Sequence, residues 1–286
     1  MSVKIIVDSA SDLTLAYAER NGIGFVPLKT TLGGKEYKDG IDILPDTFYG
    51  KLEENKELAH TSQVNPDEFE EFFRKTVADG DEAVVITMSS GLSGTYQSAV
   101  IAAEEYPNKI FTVDSLSATA GEQVLIYRAV KLRDEGRGAA EICAELTELR
   151  KKVRLFVRLE TLEYLKRGGR ISKTSAALGT LLGIKPVLTL NGEGKLETVG
   201  KARGLKASHK LMNDSISACG GIDFSLPVVI TYAGDTNDGA VRGYLNDIEE
   251  IFKENRDKLT VGQLGCVIGT HTGPGAIVIA FVPNIN

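Results

Sequence analysis

The sequence predicts an α/β fold in two domains, and three observations carry that prediction. Through the first half, short β-branched runs such as Lys4–Val7, Ala83–Thr87 and Lys109–Val113 alternate with helical stretches. That alternation is the pattern of a mostly parallel sheet with helices on both faces. After Leu155-Phe156-Val157 the texture changes: Pro186–Leu190 and Lys195–Val199 flank Asn191-Gly192-Glu193-Gly194, a hairpin signal inside an otherwise α/β pattern. The chain has 286 residues, 42% of them hydrophobic, enough for one large domain or two ordinary ones. These place an N-terminal domain at residues 1–157 and a C-terminal α/β domain with a mixed sheet at 158–286, with the boundary near Val157.

The elements follow in order. Lys4–Val7 is a strand ending in Asp8-Ser9, and a helix from about Thr14 to Arg20 closes at Asn21-Gly22. Phe25–Leu32 reads as one strand, turned at Gly33-Gly34 into an arm at Lys35–Tyr37. Pro45-Asp46 opens a helix. Asn65, Pro66 and Glu68 read as N-cap, first helical residue and capping-box acid. Phe69, Phe72, Phe73, Thr76 and Val77 then repeat at helical spacing. Thr61 and Ser62 are expected just before that helix start. Lys109–Val113 ends in Asp114-Ser115, and Asp8 and Asp114 are expected to fix loops at strand ends through backbone hydrogen bonds. Ala118–Glu135 and Ala139–Lys152 are helical. The basic run Arg150-Lys151-Lys152 with Arg154 reads as a solvated face at a helix C-terminus. In the second half, helices are expected at 160–167, Lys173–Leu182, Leu205–Ala218 and Asp238–Asn255, and a strand at Pro227–Tyr232.

Charge and composition exclude several classes. The formal net charge is −6, which offers no electrostatic case for nucleic acid or an anionic membrane. Cys143, Cys219 and Cys266 show neither a disulfide framework nor zinc spacing, in keeping with a reducing cytosol. Met1–Asp8 already reads as a strand. With no signal peptide and no membrane-length apolar run, a cytoplasmic protein without stable membrane insertion is expected.

Chemistry concentrates in Met88-Ser89-Ser90-Gly91-Leu92-Ser93-Gly94-Thr95-Tyr96. A strand enters this loop and a helix leaves it, so free N–H groups and the helix dipole favour an anion. Gly91 and Gly94 let the backbone come close to a ligand, and the serines and Thr95 supply hydroxyls. A serine-hydrolase reading fits poorly. Gly91-Leu92-Ser93-Gly94-Thr95 carries Thr95 where a nucleophile elbow has its second glycine, and only a remote His271 is available as base. No phosphate-binding P-loop, dinucleotide turn or metal-ligand spacing is present, so no metal or cofactor is expected. Recognition of a small anion remains, with Thr61, Ser62, Ser93, Gly94, Arg170 and His271 as candidates. The alternative is a serine-dependent esterase or acyl-transferase using Ser93 and His271.

Four motifs in order, Thr61-Ser62-Gln63, Ser89–Gln97, Leu165-Lys166-Arg167-Gly168-Gly169-Arg170-Ile171 and Gly269-Thr270-His271-Thr272-Gly273-Pro274-Gly275, make the chain resemble the DegV family over nearly its whole length. Val64-Asn65-Pro66 departs from the proline and serine that many members place there. The resemblance implies two α/β domains with a long-chain fatty acid such as palmitate buried between them. It implies that Thr61 and Ser93 hold the carboxylate, with Arg170 and His271 close by. It also implies a non-catalytic binding subunit that presents the carboxylate to a separate ATP-binding fatty acid kinase for acyl-phosphate formation. Ala176–Leu182 is a candidate lining for the acyl tail.

Overall fold

The computed structural model describes residues 2–54, 59–171, 183–234, 239–252 and 254–284. The first half runs β1 (Val3–Asp8), α1 (Leu15–Arg20), β2 (Ile23–Val26), β3 (Lys29–Leu32), β4 (Lys35–Lys38), α2 (Pro45–Glu54), β5 (His60–Ser62), α3 (Pro66–Ala78), β6 (Glu82–Thr87), α4 (Thr95–Ala103), β7 (Ile110–Asp114), α5 (Ala120–Asp134) and α6 (Ala139–Leu149). The second runs β8 (Arg154–Arg158), α7 (Glu163–Arg167), β9 (Ile184–Leu190), β10 (Leu196–Arg203), α8 (Leu205–Ala218), β11 (Val228–Tyr232), α9 (Gly239–Asp247), α10 (Glu249–Phe252), β12 (Leu259–Gln263), α11 (Cys266–Thr272) and β13 (Ile277–Phe281).

Three sheets form. A parallel four-stranded sheet has the order β2-β1-β6-β7. From β1 the chain steps to β2 on one side and later to β6 on the other. The carboxyl ends of β1 and β6 therefore flank a topological switch point, where α/β sheets present their ligand crevice. A mixed six-stranded sheet has the order β10-β9-β8-β13-β11-β12. A small antiparallel sheet, β4-β3-β5, completes the set.

α5 lies between the two larger sheets, packing on β1 and β6 as well as on β8, β11 and β13. It is buried on nearly all sides over Ala120–Ile126, as expected of a helix enclosed by sheets. The mixed sheet alternates strictly: Val278 and Ala280 enter the core shared with the first half, while Ile277, Ile279 and Phe281 enter a second core with Met212 and Ile216 of α8 and Phe252 of α10.

Local expectations and structure agree at the caps. Thr14 accepts from the Tyr17 amide at the start of α1. The Asn65 side chain accepts from Glu68 N at 3.0 Å while Glu68 accepts from Asn65 N at 2.9 Å, a complete capping box. Asp8 accepts from the amides of Ala10 and Met88, and Asp114 from those of Ser90 and Leu116, so both acids do fix loops at strand ends.

Two expectations change. The single strand Phe25–Leu32 is two strands in two sheets. Pro27 has no N–H to continue a ladder, and the Leu28 amide donates to Ser9 Oγ instead. The long helix Asp238–Asn255 is replaced by α9 and α10, with Ile248 and Phe252 both buried in the second core. β8 spans Arg154–Arg158, and its partners β9 and β13 belong to the mixed sheet. The expected helix at Lys173–Leu182 lies outside the described residues.

Side-chain bonds join the halves. Asp39 accepts from the Cys266 amide at 2.9 Å and from Ser9 Oγ at 3.0 Å, and Asp12 accepts from the Gly265 amide at 2.9 Å. Ser89 Oγ donates to the Gly194 carbonyl at 2.8 Å, seating the β9–β10 hairpin turn on the serine-rich loop. That contact is close because Gly91 has no side chain: a Cβ there would lie 2.6 Å from the Glu193 carbonyl oxygen.

Three outcomes are expected from urea unfolding. Asp39→Ala strands the Cys266 amide and the Ser9 hydroxyl, and should cost about 2–4 kcal/mol. Gly91→Ala should cost about 1–3 kcal/mol by displacing the hairpin turn. Gly50→Ala on the open face of α2 should instead gain a few tenths to about 1 kcal/mol. Equal effects of the two glycine substitutions would contradict the packing described.

Candidate functional site

Thr61 sits in the middle of β5, paired with Thr30 of β3, and Ser62 pairs with Lys29. This corrects the expected placement at a helix start. The free edge of β3 takes up the segment as a strand, and Val64 and the Asn65 cap intervene before α3. Ser93 does precede a helix. Its Oγ accepts from the Thr95 amide at 3.3 Å and lies 3.0 Å from Thr95 Oγ1.

His271 lies in the last turn of α11. Its Nε2 is 2.8 Å from Thr61 Oγ1, while its Nδ1 is buried without a hydrogen-bond partner. Gly168 makes room for the ring, since a Cβ there would collide with it. Burial is the main cause lowering the His271 pKa to about 4, with Arg170 and His60 adding to it. The ring is therefore neutral near pH 7. We assign the Nε2–H tautomer from this network. Nε2–H then donates to Thr61 Oγ1 and frees the threonine hydroxyl to donate to a ligand.

Arg170 is exposed. Its Nη1 donates to the Gly168 carbonyl at 2.6 Å and its Nε to the Leu92 carbonyl at 3.2 Å, bridging the α7 end to the serine-rich loop.

Thr61, Ser62, Ser93, Arg170 and His271 line one cavity of about 80 Å³ between the two larger sheets. Gly94 is not on its wall; it backs onto Gln63, where a Cβ would collide with the side-chain amide. The rest of the lining is mainly apolar and comes from both halves, including Met88, Leu155, Val157, Leu190 and Val278. A second, polar cleft of about 110 Å³ opens on the outer side of Thr61 and His271, between His60, Tyr164, Arg167 and Arg170. Gln63, Thr119 and Thr272 also reach the apolar cavity. Gln63 and Thr272 had a signal in the motifs that contain Thr61 and His271, whereas Thr119 had none.

Ser93 and His271 do not form a dyad. Ser93 bonds to Thr95, His271 bonds to Thr61, and no carboxylate meets His271 Nδ1. Thus the nucleophile, base and orienting acid of a hydrolase are not assembled. Among the described residues no group of three or more His, Cys, Asp or Glu could hold a metal, and no helix is long and apolar enough to cross a membrane.

α11 is held from below by acids. Asp12 and Asp39 accept its first amides, and carboxylates are favoured at a helix N-terminus. Burial raises the pKa of both, and of Glu122, and takes Asp8 to about 7.

Comparison with known proteins gives this geometry its context. A family model described as DegV matches residues 2–284. A DegV domain-containing protein of Caldanaerobacter subterraneus is 36% identical over 98% of this chain and 98% of its own. A solved DegV family protein from Thermus thermophilus, described by its fatty acid binding, superimposes with a TM-score of 0.88 at 35% identity, covering 99% of this chain and 100% of that one. A stearic acid-binding protein from Eubacterium ventriosum superimposes with a TM-score of 0.83 at 28% identity, covering 99% and 98%. With the match spanning nearly every residue and the two-sheet architecture shared, the chain belongs to the DegV family.

Proposed function

We propose that this protein binds one long-chain fatty acid between its two larger sheets and presents the carboxylate to a separate ATP-dependent kinase. The observation that carries this reading is the Thr61–His271 hydrogen bond at the polar end of an otherwise apolar cavity. The fatty acid binding described for the Thermus relative and the stearic acid named for the Eubacterium one support it.

The energetics fit an acyl ligand. Burying about fourteen methylenes at ~0.8 kcal/mol each contributes roughly 11 kcal/mol before binding costs. An unpaired carboxylate in the same place would cost several kcal/mol. The acid therefore seats its head where Thr61 and Ser93 hydroxyls donate to it.

The polar cleft beyond Thr61 and His271 supports the presenting role, because it leads from the carboxylate position to Arg167 and Arg170 at the surface. There a carboxylate oxygen would form a bond to the γ-phosphorus of ATP as the bond from that phosphorus to the β–γ bridging oxygen breaks, leaving ADP. In this reading the kinase supplies ATP and catalysis. This chain supplies the substrate, held by the Ser93 hydroxyl, which bonds to Thr95, and by the Thr61 hydroxyl, to which His271 donates, and needs no cofactor.

Denatured protein should release a long-chain acid detectable by mass spectrometry, or take one up when supplied. Thr61→Ala combined with Ser93→Ala should weaken palmitate binding by about 100-fold or more, the loss of two hydrogen bonds to a charged group, with circular dichroism unchanged. Undiminished affinity, or labelling of Ser93 by a fluorophosphonate, would point to the esterase instead.

A pH titration tests the neutral ring. An unfolded imidazole titrates near 6.5 and the folded His271 at about 4. Between these values the unfolded chain holds more protons, so this residue's contribution to stability is present above pH 6.5 and is lost as pH falls towards 4. In NMR its imidazole resonances should remain those of a neutral ring at pH 6. Loading with palmitate should raise the midpoint, because a nearby anion favours the charged ring. A midpoint near 6.5 in unloaded protein would overturn the assignment.

A further inference from the structure

The basic run at the end of α6 does more than face solvent. Arg150, Lys151 and Arg154 stand on the wall of one cavity of about 280 Å³, closed on the other side by Asn191 and Gly192 of the β9–β10 turn. Among the described residues no acidic side chain lines it. Lys151 has an ion-pair partner in Glu148, but that pair is largely exposed and exchanges with solvent at little cost. Arg150 is held in place by donating from Nη1 to the Asp114 carbonyl at 2.6 Å, and its Nε is buried with no partner. Asn191 Oδ1 is occupied by the amides of Glu193 and Lys195, which leaves its NH2 group as a donor. Such a concentration of cations stands out in a chain whose net charge is −6.

We propose that this cavity is a binding site for a phosphate group. Arg154 is held like Arg150, donating from Nη1 to the Lys151 and Val153 carbonyls at 3.0 and 3.1 Å, and the charges of the two guanidiniums and one ammonium around one concavity match the double charge of a phosphate better than the single charge of a carboxylate. Leu116 and Val153 on the same wall leave an apolar margin for the group that the phosphate esterifies. The phosphate belongs either to a soluble phosphate ester or to a phospholipid headgroup.

The position makes the site regulatory. Leu155 and Leu190 line both this cavity and the apolar one, so the two share a wall. The loop between β7 and α5 divides them: Leu116 and Ser117 face the cationic side, Ala118 and Thr119 the apolar side. Leu116 and Thr119 have φ values of +50° and +49°, a backbone region that side chains rarely adopt and that costs energy to hold. A phosphate gripped by Arg150 and Arg154 would brace this loop and slow exchange of the acyl ligand.

The test uses the full chain and the double variant Lys151→Gln, Arg154→Gln, neither residue being part of the fatty acid site. Calorimetric titration with glycerol 3-phosphate probes the soluble source. Flotation with phosphatidylglycerol vesicles, against phosphatidylcholine vesicles, probes the lipid one. Wild type should bind at least one of these probes, and the double variant should bind it at least about tenfold more weakly, as expected for two lost charged contacts. Palmitate capacity should be the same in both proteins, and palmitate release from wild type should slow when the phosphate probe is present. Binding of neither probe by wild type, or equal binding by the variant, overturns the proposal. Because palmitate capacity is read separately, failure of the phosphate site and failure of the fatty acid reading are distinguishable.

Discussion

Asp39 sits wholly buried in the first half of the chain and takes the Cys266 amide from the second half together with the hydroxyl of Ser9. Asp12 does the same for the Gly265 amide. A carboxylate removed from water is costly unless donors surround it. Here the donors are the first amides of α11, whose dipole favours the negative charge. With its N-terminus anchored in the other half of the molecule, α11 has little freedom to rotate. Its last turn then delivers His271 to Thr61. The polar end of the cavity depends on this anchoring.

The second constraint is α5. Serving as a layer for both large sheets, it requires one continuous core from Ile5 to Val282. The close approach shows at Gly121, where a Cβ would collide with Ser117 and come within 3.3 Å of Leu155. The apolar cavity is a gap in that common core, which is why its lining comes from both halves. The strained turn between β7 and α5 is the price of entering such a helix while also walling two cavities.

Chemistry at the polar end follows from burial. A solvated histidine would be partly charged near neutrality. Removed from water and without a carboxylate on Nδ1, His271 stays neutral, is a weaker base than a solvated ring, and pairs with the threonine hydroxyl. Ser93 is engaged with Thr95 and His271 with Thr61, so the residue types that compose a hydrolase meet different partners here.

Much of the fold was legible in the residues alone. Caps, turns and hairpins act within a few positions, so Thr14, the Asn65–Glu68 box and the Asn191–Gly194 turn announce themselves, and alternation of strands with helices announces the fold class. The residue types of the site were legible too, and the DegV-like motifs set them in order. What the tertiary structure decided is which of them meet. Thr61 and His271 are 210 positions apart, and Asp39 reaches Cys266 across 227; no local spacing encodes such a pair. The pairing of β5 on β3, the place of β8 in the mixed sheet and the cationic cavity at Arg150 are likewise products of packing. Periodicity and capping are short-range energies written in neighbouring residues, whereas a site between two sheets exists only once both have closed on the same core.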